Sequence, residues 1–168
     1  PIGAEPYPES PTYVVVSPND GRYAFVSFWY NQKIYKIDTY SDSVVATIDL
    51  GDSFWSLLHI SQDGQKVLVS NGDNHSMLSV NTTTLEVQTL TSNDFVNPRG
   101  IASNAGFDTF FVTGQFGNTV YKFSNGYNKK ISIDKEPLTT SSGNTPDPYD
   151  IIMSPDYSKY FLTCEKSN

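Results

Sequence analysis

The chain has 168 residues with 18 acidic and 11 basic side chains, a formal net charge of −7, and a single cysteine. One cysteine excludes an internal disulfide framework, and no apolar run approaches the roughly 18 residues needed to cross a bilayer. An acidic chain without a basic block is a poor match to nucleic-acid phosphates, so no nucleic-acid partner and no membrane span are expected. The 48 Ser, Thr and Asn residues, with 10 Pro, 11 Gly, 11 Tyr and 10 Phe, favour strands joined by tight turns.

An internal repeat runs through the whole chain. Pairs of an aliphatic and a hydroxyl residue recur at spacings of 43, 43 and 50, namely Val26-Ser27, Val69-Ser70, Val112-Thr113 and Leu162-Thr163. A second series recurs at 43 and 43, namely Ile37-Asp38, Val80-Asn81 and Phe123-Ser124. A third series recurs at 43, 44 and 50, namely Asn31, Asn74, Asn118 and Asn168. Because three independent series agree in their spacing, we interpret them as an internal repeat and not as a coincidence.

Each unit of the repeat predicts short β-strands separated by turns. The predicted strands are 13–16, 23–28, 34–38 and 44–49, then 56–60, 66–70, 77–81 and 86–90, then 100–103, 109–113, 119–123 and 129–133, and finally 149–154 and 159–163. Asp20-Gly21 after a proline predicts a hairpin between the first two strands. No window has the apolar spacing of a helix.

Four antiparallel strands in every 40–45 residues are typical of a propeller blade. The predicted fold class is therefore all-β, a β-propeller of about three and a half four-stranded blades. We place the blades at approximately 10–51, 52–94 and 95–136, with a half blade at 146–168. An extended inter-blade loop at 134–147 accounts for the spacing of 50, and either a contact with a partner or a tolerated insertion explains it equally well.

The first unit resembles the repeat of YVTN-type β-propellers, the surface-layer and YncE-like proteins. The resemblance rests on Ser17-Pro18-Asn19-Asp20-Gly21, the following strand to Ser27, and the strand that ends at Ile37-Asp38. The fourth unit matches through Ser154-Pro155-Asp156, whereas Ser61-Gln62-Asp63-Gly64 lacks the proline and Ser103-Asn104-Ala105-Gly106 lacks the aspartate. The resemblance implies a seven-bladed propeller, usually exported to the periplasm, cell surface or exterior. It also implies further blades, in the same or another chain, as partners.

Candidate binding residues lie in the connections that follow the second and fourth strands, because these open on one face of a propeller. They are Trp29, Tyr30, Trp55, Asp73, His75, Arg99, Gln115, Phe116, Tyr149 and Asp150. We expect Trp55, Arg99 and Tyr149 at one register position just before the innermost strand, where they either line a binding mouth or pack between blades. Arg99 is the most informative, because a buried arginine needs a carboxylate or a ligand anion.

No catalytic residue, metal ligand or cofactor is predicted. His59 and His75 are 16 residues apart and lack the close spacing of a metal site. Asp73 and His75 are a close carboxylate-imidazole pair, but in a glycine-containing loop such a pair is typical of solvated surface. Cys164 has no evident partner for nucleophilic chemistry.

Two hypotheses of function follow. The first is a non-catalytic, exported propeller that binds a protein, glycan or other ligand, or serves as a scaffold in a larger protein or assembly. The alternative is a propeller hydrolase or lactonase whose funnel-shaped active site is partly supplied by further blades. Acidic, Arg and His residues that line the funnel would distinguish the second from the first.

Overall fold

Fourteen β-strands make up the regular structure of the residues described by the computed structural model, which are 10–29, 31–51, 56–91, 95–116, 119–124, 132–137 and 147–165. The first unit contains β1 (Ser10–Val16), β2 (Tyr23–Trp29), β3 (Asn31–Asp38) and β4 (Ser43–Asp49). The second contains β5 (Leu58–Ile60), β6 (Lys66–Asn71), β7 (Ser76–Asn81) and β8 (Val87–Thr91). The third contains β9 (Pro98–Ser103), β10 (Thr109–Gly114), β11 (Thr119–Ser124) and β12 (Ser132–Pro137), and β13 (Pro148–Met153) and β14 (Tyr160–Cys164) follow.

Consecutive strands pair antiparallel within each unit. Three sheets have the orders β1-β2-β3-β4, β5-β6-β7-β8 and β9-β10-β11-β12, and β13-β14 form a two-stranded sheet. The predicted number of strands and their division among the units are confirmed.

The end of the third sheet differs from the prediction. Strand β12 overlaps the predicted 129–133 only at its first two residues and continues to Pro137, so residues 134–137 are strand and not part of the expected extended loop. The reason is register, because β12 pairs with β11 along its whole length, from Ser132 opposite Ser124 to Pro137 opposite Thr119. Residues 138–146 of that loop lie outside the described residues.

The hydrophobic core lies between neighbouring sheets. Successive side chains of a strand point to opposite faces. In β6, Val67 and Val69 accordingly pack toward the first sheet, while Leu68 packs toward the third. Ile151 of β13 joins Ala102 of the third sheet in a further cluster. The middle sheets are thus buried on both faces, as apolar strands between blades require.

The hydroxyl series of the repeat joins neighbouring units. Ser27 donates through Oγ to the carbonyl oxygen of Ser56, 2.7 Å away, and Thr113 donates through Oγ1 to the carbonyl oxygen of Tyr149 at 3.0 Å. Both hydroxyl residues are completely buried. Each hydroxyl therefore ties the second strand of one unit to the beginning of the next.

The same hydroxyl positions also serve their own sheets. The N–H groups of Leu57, Gly100 and Asp150 donate to the hydroxyls of the residues 13 positions later, at 3.1, 2.8 and 3.1 Å. At Gly100 and Asp150 the inner strand departs from regular pairing with its neighbour. The hydroxyl therefore accepts a hydrogen bond from a backbone N–H group that the irregular ladder does not pair.

The Asp38 and Asn81 series closes the turns between the third and fourth strands. Each side chain accepts hydrogen bonds through Oδ1 from the N–H groups two and three residues later, at 2.9 and 3.3 Å for Asp38 and at 2.9 Å twice for Asn81. These local bonds stabilise a turn independently of the rest of the chain. Their short range explains why the repeat is visible in the sequence.

Candidate functional site

The chain direction defines two faces of the molecule. The loop face carries the connections from β2 to β3, from β6 to β7 and from β10 to β11, together with the connections between units. The turn face carries the hairpin turns that follow β1, β5, β9 and β13. All ten predicted binding residues are expected on the loop face. Two of them, Tyr30 and Trp55, lie outside the described residues.

The register position expected for Trp55 lies outside the described residues. Its neighbour Ser56 is equivalent to Tyr149, because the carbonyl oxygens of Ser56 and Tyr149 accept the inter-unit bonds from Ser27 and Thr113. Arg99 lies 43 residues after Ser56 and 50 before Tyr149, in the same series. Arg99 and Tyr149 also lie within β9 and β13 and do not precede them.

Arg99 lies at the centre of a buried polar cluster on the loop face. Its side chain is 3% exposed, and its Nε donates to Oε1 of Gln115 at 2.6 Å. The Gln115 amide in turn donates to Oε2 of Glu165 at 2.9 Å. The guanidinium carbon lies 5.2 Å from the centroid of the Tyr149 ring. The structure thus brings three predicted residues together and adds Glu165, which sequence reasoning missed.

The electrostatics of this cluster favour a structural role for Arg99. Burial lowers the pKa of the Arg99 guanidinium, and nearby Tyr149, Glu165, Asp73 and Asp147 oppose that effect. An arginine stays charged in proteins, so the surrounding carboxylates compensate a buried cation. The chain of bonds from Arg99 to Glu165 links the third sheet to the two-stranded sheet. This arrangement matches packing between blades, the second of the two roles expected for this position.

Phe116 projects from the same cluster into solvent. The residue is 64% exposed with φ of 61°, and its N–H donates to Oδ1 of Asp147 at 2.7 Å. Asp147 is itself buried. A left-handed backbone is unfavourable for a bulky side chain, so the carboxylate holds this loop in a conformation that it would not adopt alone. Asp147 precedes a predicted strand, which was its only signal in the sequence.

Asp73 and His75 do not act as a pair. Both are exposed, and Nδ1 of His75 accepts a hydrogen bond from the N–H of Asn97 at 3.1 Å. The two segments come close here, because a Cβ added at Gly72 would lie 2.6 Å from the side-chain Oδ1 of Asn97 and 3.5 Å from the carbonyl oxygen of Pro98. The imidazole therefore joins the loop of the second unit to the entry of the third.

The remaining described candidates are Trp29 and Asp150. Trp29 is the half-buried last residue of β2 in the first sheet. Asp150 accepts through Oδ2 from the Tyr13 hydroxyl at 3.5 Å, a long bond between the innermost strands of the first and fourth units. Burial raises the pKa of Tyr13, and the charge and hydrogen bond of Asp150 raise it further. Asp150 thus faces the axis around which the inner strands gather.

A cavity of about 280 Å³ lies on the turn face between the inner strands. It is lined by Tyr13, by residues of β5, β9 and β13 and by residues of the turns that follow these three strands, and its lining includes none of the eight predicted site residues that the structure describes. We call it the axial cavity. Sequence reasoning missed it because its walls come from strands more than 40 residues apart, and His59 within an apolar strand was the one available signal.

His59 is the titratable wall of the axial cavity. Its Nε2 lies 2.8 Å from Oγ of Ser103, and its ring stacks on Phe107 with centroids 5.9 Å apart and planes 16° apart. Burial lowers the pKa of His59 to about 4. The imidazole is therefore neutral above weakly acidic pH.

Within the described ranges, no group of three or more His, Cys, Asp or Glu side chains is placed to hold a metal ion. The same part of the chain contains no helix of sufficient length and apolarity to traverse a bilayer.

Several solved structures of low sequence identity share this architecture. The β-propeller domain of Cps50 (Swd1) from Myceliophteria thermophila has a TM-score of 0.73 at 10% identity, over 94% of this chain and 51% of that chain. A catalytically inactive virginiamycin B lyase from Staphylococcus aureus, with quinupristin, has a TM-score of 0.74 at 18% identity, over 92% of this chain and 49% of that chain. Hydrazine synthase from Kuenenia stuttgartiensis has a TM-score of 0.69 at 17% identity, over 99% of this chain and 53% of that chain.

The chain folds as part of a β-propeller. It spans about half the length of these similar structures. No family model matches the sequence, and no curated protein matches it. The likeness therefore establishes the fold alone, since propellers host binding, scaffolding and catalysis.

Proposed function

We propose that the chain is part of a non-catalytic binding or scaffold propeller of the YVTN type, exported to the periplasm, cell surface or exterior, with its partner site on the loop face. The observation that carries the proposal is the rigid presentation of Phe116. Aromatic side chains dominate the energetics of protein interfaces, and a contact residue that is already ordered loses little entropy on binding. The bond to buried Asp147 provides that order.

Export rests on the resemblance of the first unit to the YVTN repeat. The aromatic, neutral-polar composition is compatible with an extracytoplasmic surface, where a protein or a glycan is the partner class. Fractionation of the native host with an antibody to this chain tests the location. Recovery with the cytoplasmic fraction alone would reject export without affecting the proposed binding face.

Further blades are the second element of the proposal. Val14 and Val16 of β1 are exposed on the face opposite the one that packs on the second sheet. At the other end, the paired residues Ile152 and Phe161 are exposed on the face opposite the third sheet. Between the other sheets, the corresponding faces are buried against a neighbouring sheet. We assign each open face to another four-stranded blade, in a ring of seven.

Light scattering and limited proteolysis of the isolated 168-residue chain test the need for further blades. We expect self-association or rapid cleavage, because each buried Å² of apolar surface contributes about 25 cal/mol and the open faces forgo it. A monodisperse, protease-resistant monomer that unfolds cooperatively would overturn this part of the proposal. If the same chain supplies the further blades, the longer protein should be monomeric. If another chain supplies them, it should be an oligomer or a complex.

A photo-crosslinking amino acid at position 116, in the protein expressed in its native host, tests the binding face. We expect one dominant adduct, identifiable by mass spectrometry and competed by unlabelled protein but not by a Phe116→Ser variant. Tyr40 is the control position, because it is also an exposed aromatic residue but lies in a turn on the opposite face. Equal adducts from positions 116 and 40 would reject the loop face as the partner site.

The alternative is a hydrolase or lactonase with its site in the loop-face funnel. The charges of Asp73, Asp147 and Glu165 around Arg99 favour it. Two of these carboxylates are already engaged, Asp147 by the Phe116 N–H and Glu165 by Gln115. Hydrolysis of a lactone panel by the protein, abolished in Asp73→Asn, would support the alternative against a scaffold role.

A further inference from the structure

The axial cavity has a mixed lining that the loop-face proposal leaves without a role. The apolar part of the lining consists of Ile60, Ile101, Ala102, Ile151, Ile152 and Met153. Its volume of about 280 Å³ is near the lower end of the range for small-molecule sites, roughly 300–1,000 Å³. The Tyr13 hydroxyl, which lines the cavity, lies 3.5 Å from Oδ2 of Asp150. The cavity is a recess that reaches the turn face, where Gln62, Asn104 and Tyr157 line it.

The polar groups in the wall of this recess are neutral. They are the side chains of Tyr13, His59, Gln62, Ser103, Asn104 and Tyr157. Burial keeps His59 unprotonated above weakly acidic pH, and the Tyr13 hydroxyl keeps its proton because burial and Asp150 raise its pKa. A charged ligand would lose its hydration without gaining a counter-ion from this wall.

The hairpin turn that carries Tyr157 has equivalents in the other units, and the residue at its left-handed position differs between units. One residue in each of the four hairpin turns has a left-handed backbone, with φ of 63°, 72°, 53° and 57° at Gly21, Gly64, Phe107 and Tyr157. Each closes its turn by donating its N–H to the residue that begins the turn, at 2.9 to 3.1 Å. Glycine adopts this conformation freely, whereas an aromatic residue does not.

Phe107 and Tyr157 are the two aromatic residues at these left-handed positions, and burial explains the first of them. Phe107 is 8% exposed, belongs to the core between the second and third sheets and stacks on His59. Tyr157 is 40% exposed and lies in the wall of the axial cavity. Its side chain gains less from packing against the described residues than Phe107 does, although the backbone is equally unfavourable. Backbone strain at a residue whose packing does not explain it is typical of functional sites.

We propose that the axial cavity binds one residue of an uncharged sugar, with Tyr157 as an aromatic wall and the Gln62 amide as a hydrogen-bonding partner. A sugar ring presents both a C–H face, which packs on an aromatic ring or an aliphatic floor, and hydroxyls, which pair with neutral amide, hydroxyl and imidazole groups. A purely apolar ligand would leave those polar groups unsatisfied. Gln62 is exposed at the mouth of the recess, where its amide can reach such a ligand.

Saturation-transfer NMR on the protein in its native, fully assembled form tests the class of ligand. The neutral probes are the methyl glycosides of glucose, galactose and mannose, and N-acetylglucosamine. Glucuronic acid and glucosamine are the charged probes of the same ring size. We expect at least one neutral probe to bind and both charged probes to bind about tenfold more weakly or not at all. Failure of all four neutral probes, or equal binding of the charged ones, would overturn the proposal.

Substitution of Tyr157→Gly locates the site. It gives the fourth turn the residue found in the first two, so we expect an unchanged or higher melting temperature together with an affinity for the neutral probe lowered about tenfold. Asp42→Gly is the matched control, because it likewise places glycine at a left-handed position, φ 50°, in a turn of the outer strands away from the cavity. Unchanged affinity in Tyr157→Gly would reject Tyr157 as a contact.

Gln62→Ala decides the matter if Tyr157→Gly unfolds the protein. Gln62 is exposed, so its truncation should leave the melting temperature unchanged. We expect the affinity for the neutral probe to fall about three- to tenfold, the effect of one neutral hydrogen bond. Unchanged affinity in Gln62→Ala would overturn the proposed site.

Discussion

The Ser27 hydroxyl and the carbonyl oxygen of Ser56, 2.7 Å apart, join the first two blades by a buried hydrogen bond. Ser27→Ala removes this donor inside the protein. We expect the free energy of unfolding to fall by about 1–2 kcal/mol, as measured by urea denaturation. Ser43→Ala removes a hydroxyl that pairs with Ser41 on the surface and should change it by less than about 0.5 kcal/mol. Equal effects of the two substitutions would contradict a role for Ser27 between blades.

Arg99→Ala tests whether the loop-face cluster is structural. The substitution leaves Gln115 and the neighbouring carboxylates without their buried cation, so we expect a loss of about 2–3 kcal/mol in the free energy of unfolding. Arg22→Ala is the control, because the Arg22 side chain is half exposed where it pairs with Asp38 at 3.2 Å, so its truncation should lower stability less than Arg99→Ala does. An unchanged melting temperature with lost partner binding would instead make Arg99 a ligand-binding residue.

Gly100→Ala tests the close approach of the inner strands β9 and β13. A Cβ at this position would lie 2.6 Å from Cα of Asp150 and 2.8 Å from the backbone nitrogen of Ile151. Because those atoms belong to the backbone, we expect the strands to move apart and stability to fall by about 1–3 kcal/mol. At Gly106 the nearest atom would be 3.6 Å away, in Asp108, so Gly106→Ala should be tolerated. Thermal unfolding of both variants would detect the difference, and similar melting temperatures would contradict the close packing.

His59 makes stability depend on pH in a defined window. Its folded-state pKa of about 4 lies below the ordinary value of 6.5, so on acidification the unfolded chain takes up the proton first. The free energy of unfolding should therefore fall as the pH drops from about 6.5 to 4, by on the order of 3 kcal/mol in total. His59→Gln should lack this component, so the difference between the two proteins isolates it. Parallel stability curves over that window would show that folding does not lower the pKa of His59.

Interactions between residues close in the sequence explain what could be predicted. The turn at Ser17 and Asp20 and the turn at Asp38 are closed by bonds that span two or three positions, so similar polar residues recur at these positions in most units. Four strands per unit follow from those turns. The third unit lacks the expected aspartate, and Asp108 replaces it by accepting a hydrogen bond from Asn104 at 2.7 Å.

The sequence by itself determined the repeat, the strands and the face that carries the loops, because these depend on alternation and on turns of a few residues. Only the tertiary structure decided that Arg99 is buried against Gln115 and that β12 follows β11 to Pro137. The same holds for the axial cavity, and for the contact between Tyr13 and Asp150, which are 137 positions apart. Contacts of that range depend on how sheets stack and curve around an axis, and no spacing between neighbouring residues encodes that geometry.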